Sequence, residues 1–140
     1  MSSHSINEDA QRLTPEPSAS LAHGVDIIEI ERVSRAVNLW GERFLNRIYT
    51  RKEITYCKGR APELAARFAA KEAVMKALGT GHVGVTAREI EILTDTTGVP
   101  SIYLHGRTQE KAEAINLHSL TISLSHSRDY AIASVIGNRS

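Results

Sequence analysis

The chain has 140 residues, of which 41% are apolar and 24% charged, and seventeen Lys plus Arg stand against sixteen Asp plus Glu for a net charge of +1. That length suits one domain, and that composition is globular rather than disordered. The charge balance excludes a global attraction to nucleic acid or a membrane surface, so an electrostatic partner must meet a local patch.

Cys57 is the single cysteine; it makes no internal disulfide or cysteine metal cluster and suits a reducing compartment. No segment approaches the roughly 18 consecutive apolar residues that span a bilayer, and the N-terminus lacks the basic-then-apolar order of a signal peptide. The expectation is a cytoplasmic protein with no membrane and no nucleic-acid partner. Aromatic residues are only 5%, a thin core that leaves self-association open.

Residues 1–20 are polar, carry Pro15 and Pro17, and read as a flexible tail before a single domain over 21–138. Leu21 to Ile28 is a short extended piece. It runs into a helical pattern in which Ile30, Val33, Val37, Trp40, Phe44 and Ile48 recur at steps of three or four. Thr50 with Glu53 forms a capping box for a short helix ending near Cys57. Pro62 suits a first helical position, and the alanine-rich stretch Glu63 to Leu78 is the strongest helix, ended by Gly79. From Glu89 the period becomes two. Ile90 and Ile92, the turn Asp95 to Gly98, and Val99 to Leu104 read as a hairpin. Arg107 to Leu117 is a short helix. Leu120, Ile122 and Leu124 alternate with polar residues, and Tyr130 to Ile136 is a last strand after a turn at His126 to Asp129. The class is α+β with an antiparallel sheet packed against a long helix.

Four places carry chemistry. Asp26, where an apolar strand meets a helix, either caps that helix or binds a cation. Within Arg67-Phe68-Ala69-Ala70-Lys71-Glu72-Ala73-Val74-Met75-Lys76, Glu72 and Lys76 share a helix face, in the order that favours pairing. Arg67 and Lys71 form a second column. Read blandly, this is a solvated face with one ion pair; read chemically, a carboxylate for a metal has cations beside it for phosphates. Ser125-His126-Ser127 lies between two strands, where neighbours point to opposite faces. A Ser-His nucleophile is thus disfavoured, whereas His126 and Ser127 suit a phosphate. Arg32, Arg35, Arg43 and Arg47 line the first helical pattern, either solvated or able to dock an acidic partner. Gly-Thr-Gly-His-Val-Gly lacks the Lys-Ser/Thr of a phosphate-binding loop, and no His pair has zinc-protease spacing.

Three segments, in this order, resemble the bacterial holo-[acyl-carrier-protein] synthases, the small trimeric members of the 4′-phosphopantetheinyl transferases. They are Gly24-Val25-Asp26-Ile27-Ile28-Glu29-Ile30-Glu31-Arg32, then Arg67 through Gly79, then Ile122-Ser123-Leu124-Ser125-His126-Ser127-Arg128-Asp129-Tyr130-Ala131-Ile132-Ala133. The resemblance covers Leu21 to Ile136. It implies transfer of 4′-phosphopantetheine from coenzyme A to a serine of apo acyl carrier protein, releasing 3′,5′-ADP, with Mg²⁺, in support of fatty acid biosynthesis. It implies Asp26 and Glu72 as metal ligands, Lys76 on the pyrophosphate, and Arg67, His126 and Ser127 on the 3′-phosphate of coenzyme A. It further implies Arg32, Arg43 and Arg47 as the docking surface for the carrier protein, and a homotrimer with sites between protomers. Glu72 and a metal-bound water both remain candidate general bases. Ala22-His23-Gly24 departs from the family's usual Gly-Ile-Gly, and Ser127 stands where the family often has Thr. Two other readings remain: a non-catalytic module that holds an acidic protein, and an RNA-binding domain, which the charge and scarce aromatics disfavour.

Overall fold

The computed structural model describes residues 9–11, 13, 20–79, 81 and 83–140. The tail expected over residues 1–20 lies mostly outside them. Strand β1 (Leu21–Glu29) leads into helix α1 (Ile30–Trp40), followed by α2 (Glu42–Ile48), α3 (Arg51–Cys57) and α4 (Ala61–Leu78). A single 3₁₀ turn, Ala87–Glu89, precedes the hairpin of β2 (Ile90–Thr94) and β3 (Pro100–Leu104), and α5 (Gly106–Ala114), β4 (Leu117–His126) and β5 (Tyr130–Arg139) complete the chain. The strands form two antiparallel sheets, β1-β5-β4 and β2-β3.

Helix α4 is the centre of the core. Its alanines at 65, 66, 69, 70, 73 and 77 are all buried, so their value is closeness rather than helix propensity alone. Gly24 shows how close: a β-carbon there would lie 1.9 Å from the carbonyl oxygen of Ala73. Along β1, Ala22, Gly24 and Ile28 are buried while Leu21, Val25 and Ile27 are exposed, the alternation of a strand packed on one face. Asp26 shares the parity of Gly24, so its side chain leaves on the α4 face.

The expected continuous helical pattern from Ile30 to Ile48 is broken. Gly41, at φ 55°, ends α1 through its N–H to the Val37 carbonyl at 2.8 Å and begins α2. The apolar recurrence runs across the break, and only the glycine marks the turn. The expected capping box is present, with Thr50 Oγ1 accepting from Glu53 N and Glu53 Oε1 accepting from Thr50 N. Helix α4 starts at Ala61, which moves Pro62 to the second helical position. Helix α5 stops at Ala114 rather than Leu117, because Asn116 takes a positive φ of 59° and Leu117 already belongs to β4.

Candidate active site

Asp26 does not cap a helix. It lies within β1, opposite Ala133 of β5, and Glu29 at the N-cap position of α1 makes no side-chain capping bond. The Asp26 side chain, 18% exposed, meets Lys76 instead, whose Nζ is 3.1 Å from Asp26 Oδ1 and 2.9 Å from the Val25 carbonyl. Lys76 thus reaches from α4 across to β1. Glu72, half-buried, stands one turn before Lys76 on the same side of the helix and next to Ala73, the residue that abuts Gly24. The contact between β1 and α4 therefore brings Asp26 to Lys76, with Glu72 one helical turn before Lys76 on α4.

That donor set suits a hard cation. Among the described residues no group of three or more His, Cys, Asp or Glu could hold a metal ion. Two carboxylates alone make a partial shell of the kind Mg²⁺ completes with water and substrate phosphates. Lys76 adds a cation beside it for those phosphates.

Glu72 also lines a recess of about 350 Å³ between α2, α4 and the segment 85–87, with Arg47, Phe68, Lys71, Met75 and Thr86 on its walls. Arg67 and His126 line a different cavity, of about 360 Å³, together with Tyr56, Thr94, Pro100 and Ile122. Arg67 and Glu72 are five residues apart, roughly 140° around the helix at about 100° per residue. The two groups expected on coenzyme A, at the metal and at the 3′-phosphate, thus lie on different sides of α4 within one chain.

Arg67 is almost fully buried. It donates to Thr94 Oγ1 at 2.7 Å and to Glu63 Oε2 at 3.3 Å, and its guanidinium carbon lies 4.3 Å from the centre of the Tyr56 ring. Its buried Nε has no hydrogen-bond partner. His126 is exposed at the end of β4, paired with Ala131. Ser127 is exposed and serves the hairpin turn. Its N–H donates to the Tyr130 carbonyl at 2.8 Å, and its hydroxyl accepts from Tyr130 N at 3.2 Å.

Arg32 on α1 and Arg43 and Arg47 on α2 are all exposed. Arg43 and Arg47 line a cavity of about 370 Å³ with Trp40 and Phe44. Arg47 also belongs to the recess beside Glu72, so α2 joins the basic surface to Glu72. Trp40 escapes detection in the sequence because it continues an apolar period, yet it is 57% exposed.

A buried polar network also went unread. Lys71 and Glu53 form an ion pair at 2.8 Å, with side chains 1% and 0% exposed. Glu53 further accepts from Ile92 N at 2.9 Å, and Lys71 donates to the carbonyls of Ala87, at 2.9 Å, and Ile90. Burial pushes the Lys71 ammonium below its usual pKa, against the pull of the Glu53 carboxylate. Thr50 Oγ1 donates to Glu91 Oε2 at 2.6 Å, and His105 Nε2 lies 3.1 Å from Glu91 Oε1. The only signals for this network were a capping glutamate and a lysine on a helix, and both read equally well as surface. Cys57 is buried, and burial raises its thiol pKa to about 11, so it offers no thiolate nucleophile.

Comparison with known proteins identifies the family. The model of the 4′-phosphopantetheinyl transferase superfamily matches residues 22–135. Holo-[acyl-carrier-protein] synthase of Herpetosiphon aurantiacus is 48% identical over 124 residues, covering 84% of this chain and 98% of the relative. That of Dehalococcoides mccartyi is 51% identical over 113 residues, covering 81% and 94%. The crystal structure of the Helicobacter pylori holo-[acyl-carrier-protein] synthase in complex with coenzyme A has a TM-score of 0.75 at 34% identity, covering 82% of this chain and 98% of that one. The Bacillus anthracis enzyme, in complex with coenzyme A (3′,5′-ADP), has a TM-score of 0.71 at 32% identity, covering 87% and 100%. With its carboxylates, lysine and arginines arranged on this fold, the chain belongs to the 4′-phosphopantetheinyl transferase superfamily, among the holo-[acyl-carrier-protein] synthases.

Proposed function

We propose that this protein transfers 4′-phosphopantetheine from coenzyme A to a serine of apo acyl carrier protein with Mg²⁺, in the cytoplasm and in support of fatty acid biosynthesis. The observation that carries the reading is the contact of Asp26 with Lys76 where β1 and α4 touch, one helical turn from Glu72. The serine oxygen forms a bond to the β-phosphorus, the bond to 3′,5′-ADP breaks, and the serine proton leaves. Asp26 and Glu72 hold the metal, and Lys76 binds the pyrophosphate from the next helical turn. Bound there, Mg²⁺ neutralises charge growing on the leaving phosphate. The nucleophile belongs to the carrier protein, which fits a chain whose one thiol is buried and whose Ser127 is engaged in a turn. Arg67 and His126 hold the 3′-phosphate, with Ser127 beside them, and Arg32, Arg43 and Arg47 receive the acidic carrier protein.

The same reading includes a homotrimer. Arg67 and Glu72 line separate cavities, so one coenzyme A reaches both kinds of group where the Arg67 side of one copy faces the Glu72 side of another. The outward face of the three-stranded sheet supports such packing. Val25, Ile27, Ile132 and Ile136 are between 39% and 60% exposed there, and Ile27 and Ile132 are cross-strand partners. An apolar face of that kind is a natural interface.

The test is incubation with coenzyme A, Mg²⁺ and apo carrier protein, followed by mass spectrometry. A gain of about 340 Da on the carrier protein, from the chemistry of the transferred phosphoryl group, is expected. No gain across several carrier proteins overturns the reading. A docking module would show no Mg²⁺-dependent binding of coenzyme A.

A further inference from the structure

The recess beside Glu72 has two walls that differ in how they are held. One is α4, locked into the core by its alanines. The other is the segment 85–87, which follows a stretch carrying Gly79, Gly81 and Gly84, all at positive φ. Glycines in that conformation supply little stiffness of their own. What ties the second wall to the first is Lys71. Its ammonium meets three acceptors, Glu53 Oε1 at 2.8 Å, the Ala87 carbonyl at 2.9 Å and the Ile90 carbonyl. An ammonium has three donors, so each is used. Glu53 is held as firmly, taking Thr50 N at 2.8 Å and Ile92 N at 2.9 Å besides Lys71. The pair thus joins α3, α4, the 3₁₀ turn and β2 at a point directly next in sequence to Glu72.

We propose that Lys71 and Glu53 are positioning residues for Glu72, setting the gap between α4 and the segment 85–87 that the Glu72 side chain lines. Neither touches the reacting atoms; they act through the wall they pin. A buried ion pair is a poor source of stability, since apolar residues of like volume replace it at little cost. Its geometry is another matter, because an apolar pair cannot hold the Ala87 and Ile90 carbonyls. The proposal rests on Glu72 being a metal ligand, and the experiment separates the two.

The double variant Glu53→Leu with Lys71→Met removes both charges and keeps the volume. Its melting temperature should fall, because the Ala87 and Ile90 carbonyls and the Thr50 and Ile92 N–H groups lose their partners, while amides of residues 85–90 exchange with solvent faster. Support from an outer group is typically worth 10- to 100-fold in metal affinity. Calorimetry should therefore show the strengthening of coenzyme A binding by Mg²⁺ fall roughly tenfold, with affinity for 3′,5′-ADP in the absence of Mg²⁺ unchanged. A folded double variant with unaltered exchange and an unaltered Mg²⁺ effect overturns the proposal. If the double variant does not fold, Glu53→Gln, which keeps an acceptor for Lys71 but loses one for Ile92 N, is read by the same two measurements. An absent Mg²⁺ effect in the unaltered protein would sink the metal assignment instead, and accelerated exchange in the variant would still report the pinned wall.

Discussion

The carbonyl oxygen of Ala73 occupies the space that a β-carbon on residue 24 would need, 1.9 Å from its ideal position. Gly24 is therefore required for β1 to lie against α4, and that contact carries Asp26 to Lys76. Substituting Gly24→Ala forces backbone to move on one side or the other. It should cost about 1–3 kcal/mol, as overpacking does, seen as a lower denaturation midpoint. Transfer activity should fall further than the lost stability explains, because Asp26 moves away from Lys76 and from the Glu72 side of α4.

Asp26→Asn and Glu72→Gln each remove a charge while keeping shape. Transfer should fall on the order of 10²–10³-fold, the scale of losing an electrostatic contact to the transition state. Lys76, the partner of Asp26, is 57% exposed, so its rehydration is cheap and the melting temperature of Asp26→Asn should barely change. A variant retaining full activity at saturating Mg²⁺ removes that residue from the metal site.

Reversing the charge of Arg32 or Arg43 should raise KM for the carrier protein roughly tenfold while leaving the affinity for coenzyme A alone, since exposed interface charges act mainly on encounter. Added salt should weaken carrier binding by the unaltered protein and have less effect on the variants. Steady-state kinetics at two ionic strengths distinguishes the two behaviours.

Stability should fall in acid by way of Glu91. Burial raises its pKa, but hydrogen bonds from Thr50 and His105 outweigh burial and hold the carboxyl below the ordinary 4.5. A carboxyl lowered in the folded state contributes stability that is present above 4.5 and lost as pH falls through the lowered folded value. Glu89 behaves alike, with bonds from Thr108 and Arg107 overcoming its desolvation. Urea midpoints measured against pH should drop through that range, and Glu91→Gln should flatten the curve.

Where a local rule decided an element, the sequence was enough. The Thr50–Glu53 box, the Gly79 stop and the Asp95–Gly98 turn formed as their residues demand. Asp26 was ambiguous because a carboxylate near a helix start satisfies a capping rule and a ligand rule alike. Its register with Ala133 and its pairing with Lys76 take it away from the cap of α1. Lys71 is ambiguous in the sequence for a related reason. Helical spacing sets it four residues from Arg67, but which column faces solvent depends on where α3 and β2 pack. The fate of Trp40 depended in the same way on the turn at Gly41.

Placing Arg67 and Glu72 on opposite sides of one helix has a consequence for mixed populations. If each working centre draws its Glu72 from one chain and its Arg67 from the next, two dead alleles complement one another. Chains carrying Glu72→Gln, co-assembled with chains carrying Arg67→Met, regenerate roughly a quarter of the centres intact by random choice around a closed ring. Neither preparation alone has any.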